Sequence, residues 1–241
     1  YFVSNHIVPR PAHRQWVFQA EMGGHAGFRS GQSLERVIAV LGEDVKEICA
    51  HLAVKVPERA NLDGGSPIKS DQVDNLNYLL SMGDGIMGTL QACMTAWFGS
   101  GTRFELYGTE GMLMLTTADS PEWNKQGGQG DPSRGVLKLY GAHADVKKMV
   151  ADAVAPERLQ RQFKELPIAD HHYYVKGIER GRATFLVAQM WHAFAQAIHA
   201  GRDGAPSFRD KLKIHYIWDA VDQSVRDKRW IKVDYSGLGD A

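Results

Sequence analysis

The side chains best suited to moving a proton near neutral pH are the ten histidines, because an unperturbed imidazole titrates there. His25 lies in Met22-Gly23-Gly24-His25-Ala26-Gly27, a glycine-rich turn where a small molecule can approach backbone. It suits a general acid or base, and Arg29, shortly after it, suits holding a carboxylate or orienting hydroxyls. Gln32 and Glu35 follow as hydrogen-bonding side chains on the same stretch. A second cluster, His171-His172-Tyr173-Tyr174, offers imidazoles and phenols for a pocket mouth. If this cluster is a strand, adjacent histidines point to opposite faces, so His171, His172 and Tyr173 are candidates for substrate contact and not for shared metal ligation. Arg14 is a further contact candidate, beside His6 and His13 in a segment broken by Pro9 and Pro11. The chain has no His-x-x-x-His or Cys-x-x-Cys spacing, so no metal site is expected.

The elements that must position these groups follow from periodicity. After a short strand over residues 1–8, Leu34, Val37, Ile38 and Leu41 fall at helical spacing, and Gly42 ends the run as a C-cap glycine does. The pattern then changes to alternation from Ile48 to Val56, which predicts a strand up to Pro57. Residues 57–70 read as loop; 72–81 and 85–98 read as strands joined at Met82-Gly83-Asp84-Gly85. Arg103 to Tyr107 and Met112 to Thr116 repeat the arrangement around Gly108-Thr109-Glu110-Gly111. Residues 118–135 read as a surface loop, Val136 to Tyr140 as a strand, and Glu157 to Glu165 as a short helix. Ala183 to His199 is a helix whose Phe185, Ala188, Trp191, Phe194, Ala195 and Ile198 share a face expected to be core. A second helix runs from Arg209 to about Asp227, before a closing strand at Trp230 to Val233. The class expected is α+β, an open, largely antiparallel sheet with helices packed on one face. Apolar residues on both faces of the strand at 85–98, Met87, Cys93 and Trp97 against Leu90, Ala92 and Met94, predict that a second subunit covers the other face.

Composition removes several function classes. With 28 Lys+Arg against 28 Asp+Glu the formal net charge is zero, so no field gathers nucleic acid or an anionic membrane surface. The most apolar stretch, Ile86 to Phe98, is interrupted by Thr89, Gln91 and Thr95, which excludes it as a membrane span. Cys49 and Cys93 sit in strand-like runs as default buried thiols and not in a disulfide framework, so a reducing, cytoplasmic compartment is expected. The chain starts at Tyr1 with no basic-then-apolar leader, so a chain that is not the whole translated product is expected.

Three stretches together resemble one family, the oxidoreductases of the glucose-fructose oxidoreductase, inositol dehydrogenase and rhizopine catabolism (Gfo/Idh/MocA) type. They are Leu41-Gly42-Glu43-Asp44-Val45; Phe104-Glu105-Leu106-Tyr107-Gly108-Thr109-Glu110-Gly111-Met112-Leu113; and Pro206-Ser207-Phe208-Arg209-Asp210 with Asp219-Ala220, Ser224 and Trp230-Ile231-Lys232-Val233. The resemblance implies that residues 1–241 are that family's C-terminal substrate-binding and dimerisation domain. It further implies an NAD(P)-dependent oxidoreductase acting on a secondary alcohol of a sugar, cyclitol or related polyol, and a homodimer or higher homo-oligomer. The family's N-terminal Rossmann domain is absent from this chain. No Gly-x-Gly-x-x-Gly turn opens a βαβ unit, so the chain is not expected to hold NAD or NADP, or to be active, alone.

Members of the family place Asp-x-x-x-His at the start of the helix that ends in the Leu-Gly-Glu-Asp stretch. Counting back from Leu41-Gly42 puts Gln32 at the histidine position and Phe28 at the aspartate position, with Glu35 replacing a further acidic residue one turn on. Gln does not titrate and Phe offers no polar group, so the proton role passes to His25, and Gln32 is left to hydrogen-bond a sugar hydroxyl. Two alternatives follow: a non-catalytic sugar-binding scaffold or sensor, and a subunit that needs a separate cofactor-binding partner.

Overall fold

The computed structural model describes residues 2–3, 16–22, 30–96, 101–116, 137–143, 163–178, 180 and 183–239. The chain divides into two compact units, Tyr1–Ser4 with Trp97–Gly204, and Asn5–Ala96 with Ala205–Ala241.

In the second of these units the helical spacing after Ser33 forms α1 (Gly31–Leu41), and the alternation after it forms β2 (Val45–Ala53). Gly42 stops the helix in the left-handed conformation, φ 70°, and its N–H donates to Ile38 O at 2.8 Å. β2 pairs antiparallel with β5 (Asn75–Met82), which pairs antiparallel with β6 (Met87–Cys93) across the Gly83–Gly85 turn. β11 (Ile231–Lys232) adds antiparallel to the other side of β2, giving the order β6-β5-β2-β11. A small hairpin of β3 (Glu58–Arg59) and β4 (Ile68–Lys69) stands where the sequence reads as loop. Its pairing depends on the buried Arg59–Asp74 contact from outside that window, which local composition does not show.

Register fixes the two faces of this sheet. Ile48, Leu80, Ala50, Tyr78, Leu90, Leu52, Leu76 and Ala92 share the inner face, where α3 (Phe208–Asp227) packs against β2. Ile214, Ile217, Trp218 and Val221 of α3 and Leu34 of α1 complete the core, each large apolar side chain contributing about 1.5–3 kcal/mol on burial. The outer face carries Cys49, Leu79 and Thr89, then His51, Asn77 and Gln91. Met87 on that face is 88% exposed. Cys49 and Cys93 are free and only half-buried, because both point to this outer face and away from α3.

The other unit holds β1 (Phe2–Val3), β7 (Gly101–Gly108), β8 (Gly111–Thr116), β9 (Lys138–His143) and β10 (Lys164–Leu166), ordered β10-β9-β8-β7-β1. These pairs are all antiparallel. β10 replaces the C-terminal end of the helix expected at 157–165: Lys164 and Glu165 pair with Gly141 and Tyr140, so an edge strand is made by its neighbour and not by its own alternation. The start of that expected helix and the loop at 118–135 lie outside the described residues. α2 (Ala183–His199) forms as predicted, but its apolar face is not core. Phe185 is buried, whereas Trp191 is 59% and Ile198 62% exposed. No helix among the described residues is long and apolar enough to cross a membrane.

The three stretches that carry the family resemblance are junctions. In the first, Lys213 Nζ on α3 donates to both oxygens of Asp44 at 2.9 and 2.8 Å, and the Tyr235 hydroxyl donates to Val45 O at 2.9 Å. In the second, Gly111 turns at φ 139° with the Ala142 carbonyl against its Cα, a place no side chain fits. In the third, Ser207 and Asp210 cap α3 reciprocally, and Arg209 donates to the carbonyls of Leu238 and Gly239 at 2.9 Å each. Ser224 donates to Arg229 O and accepts from Ala50 N–H, extending the β2 ladder past the end of β11.

Candidate functional site

The candidate residues fall into two groups in different units. On α1, Gln32 is the second residue of the helix and is exposed, while Glu35 sits one turn on and is partly buried. Glu35 Oε1 accepts from Lys211 Nζ at 2.6 Å, so this carboxylate docks α1 on α3. His25, Arg29 and Arg14, with Phe28, His6 and His13, lie outside the described residues. The segment leading toward His25 is described up to Met22, and it is held firmly. Asp71 and Gln72 donate their N–H groups to Phe18 O at 3.1 Å, and Ala20 N–H donates to Asp71 Oδ1 at 2.7 Å. Phe18, 1% exposed, lies under the Arg59 guanidinium at 4.4 Å from its ring centroid.

α1 begins without the usual side-chain cap. Ser30 adopts the left-handed conformation, φ 54°, makes no side-chain cap bond, and gives its carbonyl to Ser33 N–H and Leu34 N–H at 3.0 Å. The first turn has no acidic side chain to offset the positive end of the helix dipole. Gly31 rests against the indole of Trp218, where an added Cβ would stand 2.6 Å from Cζ2.

The second group is built on a short 3-10 turn, Asp170–His172, and not on a strand. The turn brings the two imidazoles together, with ring centroids 4.1 Å apart and tilted by 42°. This replaces the expectation that His171 and His172 face opposite ways: the alternation argument holds only for extended backbone. Gln189 of α2 pins the segment by accepting from Val175 N–H at 2.8 Å and donating to His172 O at 2.9 Å. Tyr174 stacks on His192 at 5.7 Å and 15°. Arg180 lies over the Tyr173 ring at 3.6 Å and pairs with Asp170 at 3.2 Å. The result is a fixed surface of exposed imidazoles beside a half-buried phenol, able to contact hydroxyl groups singly. No group of three or more His, Cys, Asp or Glu side chains among the described residues is arranged to hold a metal ion.

Trp218 was not singled out by the sequence. Its position beside Ile214, Ile217 and Val221 reads simply as the core stripe of α3.

The sequence model of the GFO/IDH/MocA C-terminal domain matches residues 1–114. No curated protein sequence matches the chain. Among solved structures, levoglucosan dehydrogenase in complex with NADH and levoglucosan is similar at TM-score 0.69 and 21% identity, covering 97% of this chain and 57% of that one. An oxidoreductase domain protein from Kribbella flavida is similar at TM-score 0.71 and 19% identity, over 97% of this chain and 56% of that one. The transcriptional regulator Gal80p from Kluyveromyces lactis reaches TM-score 0.66 at 14% identity, over 98% of this chain and 52% of that one. At these identities the likeness is one of fold, and the chain spans little more than half the length of these structures.

Proposed function

We propose that this chain, whose residues 1–114 match the GFO/IDH/MocA C-terminal domain, is the substrate-binding and dimerisation half of an NAD(P)-dependent oxidoreductase. The reaction is hydride transfer at a secondary alcohol carbon of a sugar, cyclitol or related polyol. The observation that carries this reading is the shared fold over 97% of the chain with levoglucosan dehydrogenase, a structure that holds NADH and levoglucosan.

The described residues do not fit a dinucleotide. Within each unit every strand pair is antiparallel, whereas a pyrophosphate is held at the turn of a parallel βαβ unit. The cofactor is therefore assigned to a domain or partner outside these residues. This chain's part is to bind, orient and move a proton: His25 takes or returns the hydroxyl proton, Gln32 hydrogen-bonds a neighbouring hydroxyl, and Arg29 and Arg14 orient polar groups. Glu35 acts beside them through the oxygen that Lys211 leaves open, and His171, His172 and Tyr173 contact the substrate at its rim. We assign the chain to the cytoplasm, a reducing compartment suited to two free thiols. The assembly is a homodimer through a sheet face, for which exposed Leu79 and Met87 are the support.

A second reading is favoured by two observations: the non-titrating Gln32 stands exposed at the start of α1, and Gal80p, a transcriptional regulator, has the same fold. On this reading the chain binds a sugar without turning it over. The test is to supply a cofactor-binding domain, upstream or as a separate partner, and follow NADH absorbance across a panel of sugars and cyclitols. NADH formation with one of them supports the oxidoreductase; sugar binding with no NADH formation selects the sensor.

A further inference from the structure

α1 and α3 touch at two levels. Gly31 rests on Ile214 and Trp218, and Glu35 Oε1 accepts from Lys211 Nζ at 2.6 Å. Residue number rises along α1 as it falls along α3, so the two helices run antiparallel through this contact. Three residues back from Glu35 is Gln32, and four residues on from Lys211 is His215. Each step moves about 4.5–6 Å in the same direction along the seam. Steps of three and four residues also keep a side chain on one face of its helix. Gln32 and His215 therefore stand level with each other, on opposite rims of one seam.

The floor between them is closed, since Gly31 and Ile214 are buried and Trp218 is 8% exposed. Both rim residues are exposed. The His215 imidazole is set edge to face against Trp218, with ring centroids 4.9 Å apart and planes at 72°. This is the indole that touches Gly31, so one side chain reaches from His215 to the residue before Gln32. Among the described residues neither the Gln32 nor the His215 side chain has a hydrogen-bond partner. A carboxamide and an imidazole each carry a donor and an acceptor, which matches a hydroxyl, a group that also does both. Glu35 and Lys211, one turn away, pair with each other, so what the seam leaves for a ligand is hydrogen bonding. We propose that His215 is a substrate-binding residue that, with Gln32 across the seam, hydrogen-bonds two hydroxyl groups of one polyol. The proposal rests on the reading of this chain as a sugar-binding half, and it adds a residue of α3 to a site otherwise drawn from α1 and the segment before it. The proton transfer stays with His25.

The test uses the 241-residue chain labelled with 15N, with myo-inositol and glucose as polyol probes and 2-propanol as a probe with a single hydroxyl. The Gln32 carboxamide and His215 imidazole signals are assigned by their loss in Gln32→Ala and His215→Ala, with melting curves to establish that the variants are folded. Should either variant not fold, triple-resonance assignment of the wild-type chain takes its place. The expected result is that at least one polyol moves both signals along one saturation curve in the millimolar range, while 2-propanol moves neither. His215→Ala should bind that polyol about five- to tenfold more weakly, and His215→Gln, which keeps a donor and an acceptor, should recover most of the loss. The proposal is overturned if neither polyol moves the two signals, if 2-propanol moves them equally, if His215→Ala binds as tightly as wild type, or if His215→Gln recovers nothing. The cofactor-supplied assembly separates this subsite from the reading it rests on. NADH formation from a polyol whose KM is unchanged in His215→Ala keeps the oxidoreductase and removes the subsite. Polyol binding at both residues with no NADH formation keeps the subsite and removes the oxidoreductase.

Discussion

Arg59 Nη2 lies 3.3 Å from Asp74 Oδ2, and each of the two side chains is 2% exposed. Asp74 also accepts the N–H groups of Lys55 and Val56 at 2.8 and 3.0 Å, and Arg59 Nε donates to Ser70 Oγ at 3.2 Å. The pair therefore ties the end of β2, the β3–β4 hairpin and the entrance to β5 together, and through Phe18 it holds the segment that runs toward His25. Asp74→Ala takes the Asp74 carboxylate away from a buried guanidinium and frees two backbone donors. The expected loss of stability is about 3–5 kcal/mol, measured by urea unfolding; a loss below about 1 kcal/mol would contradict this account.

Gly31→Ala places a Cβ 2.6 Å from Trp218 Cζ2 and 3.3 Å from Ile214 Cγ2. The indole must shift within a packed core, so destabilisation of about 1–3 kcal/mol is expected. The same unfolding measurement checks it, and tryptophan emission should change with it.

The cap of α3 carries a pH dependence of known sign. The Asp210 carboxyl is held below its ordinary range first by the backbone N–H of Ser207, then by its hydroxyl. A folded pKa below the unfolded one means that the stabilisation is fully present above the unfolded value near 4 and fades as pH falls through the folded value. Ser207→Ala should cost about 1 kcal/mol at pH 7 and flatten that acid limb of the stability curve.

Exposed apolar residues on α2 should contribute little to the stability of the single chain. Trp191→Ser and Ile198→Ser are expected to change unfolding by no more than about 0.5 kcal/mol, because both side chains are more than half exposed. A loss above about 2 kcal/mol would show that this face is covered in solution.

Much of the fold is legible from local pattern. α1 and its glycine stop, the alternation of β2, and the hairpins around Gly83–Gly85 and Gly108–Gly111 follow from spacing because each is stabilised by neighbours in sequence. The β3–β4 hairpin and β10 are not legible, since one depends on Arg59 meeting Asp74 and the other on pairing with β9. The helical spacing of α2 shows that it is a helix but not what lies against it, which is why Trp191 reads as core and stands exposed. The site shows the same division. Gln32 and Glu35 are placed on α1 as their spacing implies, while the contact of Trp218 with Gly31 forms only when α3 packs on α1.

His25→Ala, in an assembly supplied with a cofactor-binding domain, should slow turnover on the order of a hundredfold if His25 carries the hydroxyl proton. Unchanged turnover would remove His25 from the chemistry.

The central claim is that these 241 residues bind the substrate and not the nicotinamide. The most direct measurement is fluorescence titration of NADH and NADPH into the purified chain, beside a form extended upstream of Tyr1 or joined to a cofactor-binding domain. Binding by the extended or joined form and none by the chain alone is the result predicted. Saturable NADH binding by the chain alone, or no binding by either form, would contradict it.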